Sequence, residues 1–102
     1  MMKRLATTDG VVSILYDMNV RIVQTDLCGV ARGLSRKHHD GYLVLLDQSL
    51  SFDCLLHTLK HELCHIILGH LDDDVKTDEE KENEVKMVLL CQTNEIKEAH
   101  YE

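Results

Sequence analysis

Two histidines four residues apart, with a glutamate directly after the first, stand inside the apolar stretch "HELCHIILGH" at 61–70. On an α-helix, positions four apart differ by about 40° in direction and about 6 Å along the axis. His61 and His65 would then present both imidazoles to one point. Two ring nitrogens at about 2.0–2.1 Å can share one zinc ion. Glu62 projects about 100° round the helix from His61, which makes it a poor third ligand but lets it reach a water on the same ion. Zinc lowers the pKa of such a water towards about 7 and polarises a scissile carbonyl. Glu62 is the group expected to take the water's proton and hand it to the leaving amine. H-E-x-x-H is the spacing of zinc peptidases that work in this way. The plainer alternative makes His61 and His65 hydrogen-bonded helix residues without a metal. Two histidines and a glutamate midway in an amphipathic helix are otherwise unexplained, which favours the metal.

A catalytic zinc takes a third protein ligand and keeps one position open. His70 lies five residues after His65, about 140° round the helix, and so on the wrong face unless Gly69 ends the helix first. His57 continues the histidine stripe but stands about 12 Å along the axis from His65. A carboxylate from the acidic segment that follows is the better choice. Glu84 comes first, beside Val85 and one turn before Val88; Glu82, three before Val85, comes second; Glu80 is more readily spent on capping. Solvent exposure is the competing reading for each of these glutamates. His70 has two further readings: an auxiliary donor to the transition state, or a helix C-terminal histidine that favours the dipole. Cys64 sits at an x position of the motif and reads as packing, as does Cys91. His38, His39 and Asp40 read as turn polarity rather than a second metal site.

These residues need elements to position them. "TDGVVSILYDMNV" predicts a short helix over about 9–18. "VRIVQTDL" (20–27) and "GVARGLSRK" (29–37) alternate as half-buried strands, and "YLVLLD" (42–47) is a more continuously apolar strand after the Asp40-Gly41 hairpin signal. The expected product is a small antiparallel three-stranded sheet. Leu55, Leu56, Leu59, Leu63, Ile66 and Ile67 then fall at helical spacing, with Ser49 or Ser51 as cap and Gly69 as stop. "DDDVKTDEE" is a charged loop in which Thr77 and Glu80 form a capping-box pattern. An acidic helix follows over about 78–100, with Val85, Val88, Leu89, Gln92 and Ile96 on one stripe. The class is α+β: the sheet packed on the long motif helix and a C-terminal helix, after a short N-terminal helix.

The 102 residues, 44% of them apolar, suit one domain over 1–102 with a modest core. Residues 1–71 carry seven acidic and seven basic side chains, and 72–102 carry eleven and four, which places the whole net charge of −7 in the last third. A basic face for nucleic acid is missing, and the lack of Trp speaks against base stacking. The acidic third reads as a solvated helix, or more sharply as one that turns one or two carboxylates inward to a cation. The four cysteines form no C-x-x-C pair, the N-terminus has no apolar signal region, and no run suits a membrane span. A reduced, cytoplasmic protein with its cysteines as small buried hydrophobes is expected.

"TLKHELCHIILGHL" (58–71), followed by "ENEVKMVLL" (82–90), resembles the ImmA/IrrE-type metallopeptidases of bacteria and their mobile elements. The order of strands and helix upstream is similar, and the resemblance covers about residues 20–90. The family's second motif usually reads Glu-Ala-Asn or Glu-Ala-Asp before an apolar pair. Here "EVK" at 84–86 departs from it, while Val88 and Leu89 keep the pair. That register carries the family's glutamate ligand onto Glu84. The resemblance implies a zinc endopeptidase with a His, His, Glu site, whose protein substrates are repressors or other DNA-binding regulators. Recognition would then rest with the small sheet or a partner, the strand near 29–37 with Arg32 and Arg36 serving as the edge along which a peptide adds. The alternatives are a non-catalytic, metal-binding regulator of the same fold and a small interaction domain with structural histidines.

Overall fold

The computed structural model describes residues 2–101, with side chains from Arg4 to Leu90. A 3-10 turn at Met2–Ala6 precedes α1 (Thr8–Asp17), which Thr7 caps by accepting from the Gly10 amide. Val11 and Ile14 are the buried positions of α1. The strands are β1 (Val20–Thr25), β2 (Gly33–His38) and β3 (Gly41–Asp47). Helix α2 (Phe52–Ile67) starts at Ser51, whose side chain accepts from the Cys54 amide. A second 3-10 turn, His70–Asp72, leads through a short loop to α3 (Asp78–Tyr101). The architecture is α+β, as the alternation of periods in the sequence requires.

The sheet is mixed, which corrects the antiparallel expectation. Its order is β1-β3-β2, with β1 parallel to β3 and β2 antiparallel to β3. The most apolar strand takes the centre: Val44 and Leu46 of β3 are fully buried, and Leu43 is 9% exposed. A tight meander would have put β2 there, with its Ser, Arg and Lys. The connection over 26–32 instead carries the chain past the β3 position to the far edge. Asp47 anchors that connection: its carboxylate accepts from the Leu27 amide at 2.9 Å, and its own amide donates to the Arg32 carbonyl at 2.8 Å. β2 then returns through the His39-Asp40 turn, with His39 at φ 52°.

Helix α2 lies against β2 and β3. Leu59, Leu63, Cys64 and Ile66 meet Val44 and Leu46, and Leu5, Ile14 and Val85 close the same cluster. Each large apolar side chain so buried contributes about 1.5–3 kcal/mol. Gly33 permits the approach of β2 to α2, since a Cβ there would sit 2.7 Å from Thr58 Cγ2. That contact brings the edge strand alongside the helix that carries His61 and His65. The cysteines do not share one fate: Cys64 is buried, whereas Cys28 and Cys54 are exposed, against the expectation for all. The packing expected of Cys91, and the Gln92 and Ile96 end of the α3 stripe, lie outside the described side chains. Among the described residues, no helix is long and apolar enough to cross a membrane.

Candidate metal centre

His61 and His65 occupy the third and fourth turns of α2 and face the same way, as their spacing requires. Their Nε2 atoms are 3.2 Å apart. The chain reverses after α2 and brings α3 back beside it. Glu82, in the second turn of α3, sets Oε2 2.9 Å from His61 Nε2 and Oε1 2.9 Å from His65 Nε2. These three residues form a group that could hold a metal ion, their donor atoms lying within 4.8 Å of one another.

Two devices hold Glu82 there. Thr77 and Glu80 form the capping box: the Glu80 amide donates to Thr77 Oγ1 at 3.1 Å, and the Thr77 amide donates to Glu80 Oε1 at 3.3 Å. Glu80 is thereby spent on the helix start, as expected. Val85, one turn after Glu82, is fully buried and fixes the rotation of α3. Lys81 Nζ also donates to the Asp73 carbonyl at 2.6 Å, tying the first turns of α3 to the preceding loop.

Glu84, the first choice from sequence, is not brought to the imidazole pair. It stands on the adjacent line of α3, with Oε1 2.6 Å from Lys76 Nζ and Oε2 3.6 Å from His70 Nε2. Its hydrogen bond to Lys76 holds its carboxyl below the ordinary value against some burial, with His70 adding to the effect. The face of a helix covered by one neighbour is about 100° wide, and both glutamates border it. The line 82–85–89 meets α2, and that choice depends on how two helices pack rather than on the phase of either. The spacing of Glu82 from Val85 and Leu89 was the signal in its favour.

His70 is 3% exposed and does not join the three donors. Gly69 ends the helix in the left-handed region at φ 74°. The turn it makes puts His70 Nδ1 2.8 Å from His65 Nδ1, on the ring nitrogen of His65 that points away from Glu82. His57 is exposed on the outer turn of α2. His38 and His39 remain at the hairpin with their rings edge-on, 4.3 Å between centroids.

Glu62 is 8% exposed and lines hollows on both sides of the imidazole pair. The two hollows share Gly33, Glu62 and Glu82; one continues past His65 to Ser35 and Lys81, the other past His61 to Thr58 and Arg32. Together they form a groove between α2 and the β2 edge, with the three donors along it. Arg36, the other arginine expected at this edge, lines neither hollow. Burial holds His65 below the ordinary imidazole value, Glu82 and Glu62 pulling the other way. Burial also pushes the Cys64 thiol up to about 11, with Glu84 adding to it, so Cys64 stays an uncharged packing residue.

No family model, curated protein or solved structure matches the chain. The likeness to the ImmA/IrrE peptidases therefore rests on the quoted motifs, and the chemistry of the site on its geometry.

Proposed function

We propose that the chain is a zinc-dependent endopeptidase whose metal ligands are His61, His65 and Glu82. The observation that carries this reading is the meeting of three side chains, with one Glu82 oxygen 2.9 Å from His61 Nε2, the other 2.9 Å from His65 Nε2 and the two Nε2 atoms 3.2 Å apart, set in a groove beside Glu62. A tetrahedral ion with bonds of about 2.0–2.1 Å holds its ligands about 3.3–3.4 Å apart, close to the 3.2 Å between the two Nε2 atoms. Two imidazoles and one carboxylate suit zinc and leave a fourth position to the groove. When bound, zinc would supply Lewis acidity to the attacking water and to the scissile carbonyl. Glu62 holds the proton lost in the attack and returns it to the leaving nitrogen.

The groove suits an extended peptide. In the antiparallel β2–β3 pair, bonded and outward-facing positions alternate. The Arg32 carbonyl is bonded to the Asp47 amide, so the main-chain groups of Gly33 and Ser35 face outward, beside the groove. A substrate strand adding to that edge would lie across Glu62 and the metal. The motif resemblance supplies the substrate class: a repressor or another DNA-binding regulator, cut in an extended segment.

Elemental analysis of the purified protein tests the metal. We expect one zinc per chain, lost in His61→Ala and kept in Glu62→Gln. Cleavage of a peptide library should fall by about 10²–10⁴-fold in Glu62→Gln, the usual contribution of a general base. A wild-type preparation without stoichiometric zinc would sink the proposal. Zinc without cleavage would leave a metal-binding regulator.

A further inference from the structure

Alternation gives the sheet two faces. Tyr42, Val44 and Leu46 of β3 turn to the core cluster, to which α1, α2 and α3 all contribute. Leu43 and Leu45 turn the other way and belong to no part of that cluster. In register with Leu45 stand Val23 of β1 and Leu34 of β2, 39% and 46% exposed. In register with Leu43 stand Arg21 and Arg36, both exposed. Leu43 itself is 9% exposed, as suits an apolar side chain flanked by two arginine stems. This second face is an apolar row across three strands, bordered by two guanidiniums that make no ion pair among the described residues.

Helix α3 has the converse surface. Val85, Val88 and Leu89 face the core. Its other side exposes Glu79, Asn83, Lys86, Met87 and Leu90, with Met87 at 60% and Leu90 at 56%. Asp78, Glu79 and Glu80 form its acidic first turn, two turns before Met87. Over its whole length α3 carries seven acidic side chains and three lysines, so Lys86 does not reverse its sign.

We propose that the open sheet face docks α3 of a second copy of this chain, with Met87 and Leu90 on the apolar row and the acidic first turn towards Arg21 and Arg36. Charge chooses this occupant. Two sheet faces packed together would set the arginines of each copy against those of the other, and two α3 helices would set carboxylate against carboxylate; like charges across an interface are costly. The crossed arrangement matches apolar to apolar and cation to anion. It also brings the third of one chain that holds the whole net charge of −7 to the two thirds of another that sum to zero. The widths agree: a helix is about 10–12 Å across, and the outer strands of a three-stranded sheet lie about 10 Å apart. A nucleic acid would find two guanidiniums but no aromatic ring in these two rows. Nothing in this docking depends on the metal-centre reading.

Sedimentation equilibrium of the full chain tests it. We expect reversible self-association with a dissociation constant on the order of micromolar. Arg21→Glu with Arg36→Glu spoils the sheet face alone, and Met87→Lys with Leu90→Lys spoils the helix face alone. Each double variant should associate at least about tenfold more weakly than wild type. An equimolar mixture of the two holds one intact face of each kind and should associate again. A wild type that stays monomeric up to about 1 mM would overturn the proposal. So would a helix variant that still pairs with itself, which marks contact between sheets, or a sheet variant that does so, which marks contact between helices. All four positions are exposed; should a double variant nonetheless unfold, the wild type decides by salt. Charge attraction is screened beyond about 10 Å at 0.1 M and about 3 Å at 1 M, so association should weaken across that range. Association that tightens or holds constant there would overturn the charge pairing and the proposal with it.

Discussion

Glu82 and Glu84 are separated by one residue and have different partners. Glu82 spans the two imidazoles, while Glu84 joins Lys76 to the buried edge of His70. Their replacement should separate them. On the proposed zinc reading, Glu82→Gln removes an anionic ligand and should lower zinc affinity by more than the 10–100-fold, roughly, that follows loss of an outer partner. Glu84→Gln should fall within or below that range. A chelator competition series in which Glu84→Gln is the more damaging would return the ligand role to Glu84. At this scale the sequence was already explicit about His61, Glu62 and His65, because a spacing of four on a helix is a geometric statement. It put Glu84 first, whereas the structure brings Glu82 to the imidazole pair. Both border the buried face of α3, and the position of Glu84 beside Val85 and one turn before Val88 does not by itself say which of the two meets α2.

Gly69 does for α2 what no other residue type does cheaply. Its φ of 74° stops the helix after Leu68 and turns the chain so that His70 comes to lie against His65. An L side chain in that region costs about 1–2 kcal/mol. Gly69→Ala should therefore lower the unfolding free energy by about 1 kcal/mol, read as a lower denaturant midpoint at unchanged slope. An unchanged midpoint would show that the reversal does not depend on this conformation. The helices, their Ser51 and Thr77–Glu80 caps and the glycine stop were legible because each is a local signal. The strand order was not. Alternation reveals which residues form strands, but the partner of a strand depends on which one gains most from being covered, and β3 gains most.

Among the described residues of the acidic third, some carboxylates are exposed and two turn inward. Asp78, Glu79 and Glu80 are exposed at the start of α3, whereas Glu82 and Glu84 turn towards histidines. The donor triangle joins α2 to α3 by a carboxylate and two imidazoles, so a bound metal should stabilise the whole fold. Free zinc at 100 times its dissociation constant adds about 2.7 kcal/mol by mass action, and a chelator should remove the accompanying rise in Tm. Without metal, stability should depend on pH through His65. Burial lowers its folded pKa below the ordinary 6.5, so the unfolded chain binds more protons as pH falls below that value. Its contribution is present above pH 6.5 and is lost as pH falls through the folded pKa. Denaturant midpoints of the metal-free protein should decline across that window. A midpoint that rises as pH falls there would contradict the burial of His65. The sequence by itself determined the helix that carries the imidazole pair, the neighbouring Glu62 and the supply of carboxylates behind it, since periodicity and spacing are properties of a single element. Only the tertiary structure decided which carboxylate meets the pair, where His70 goes and which strand edge borders the groove. Those outcomes depend on how separate elements pack, and packing is settled by burial summed over the whole core.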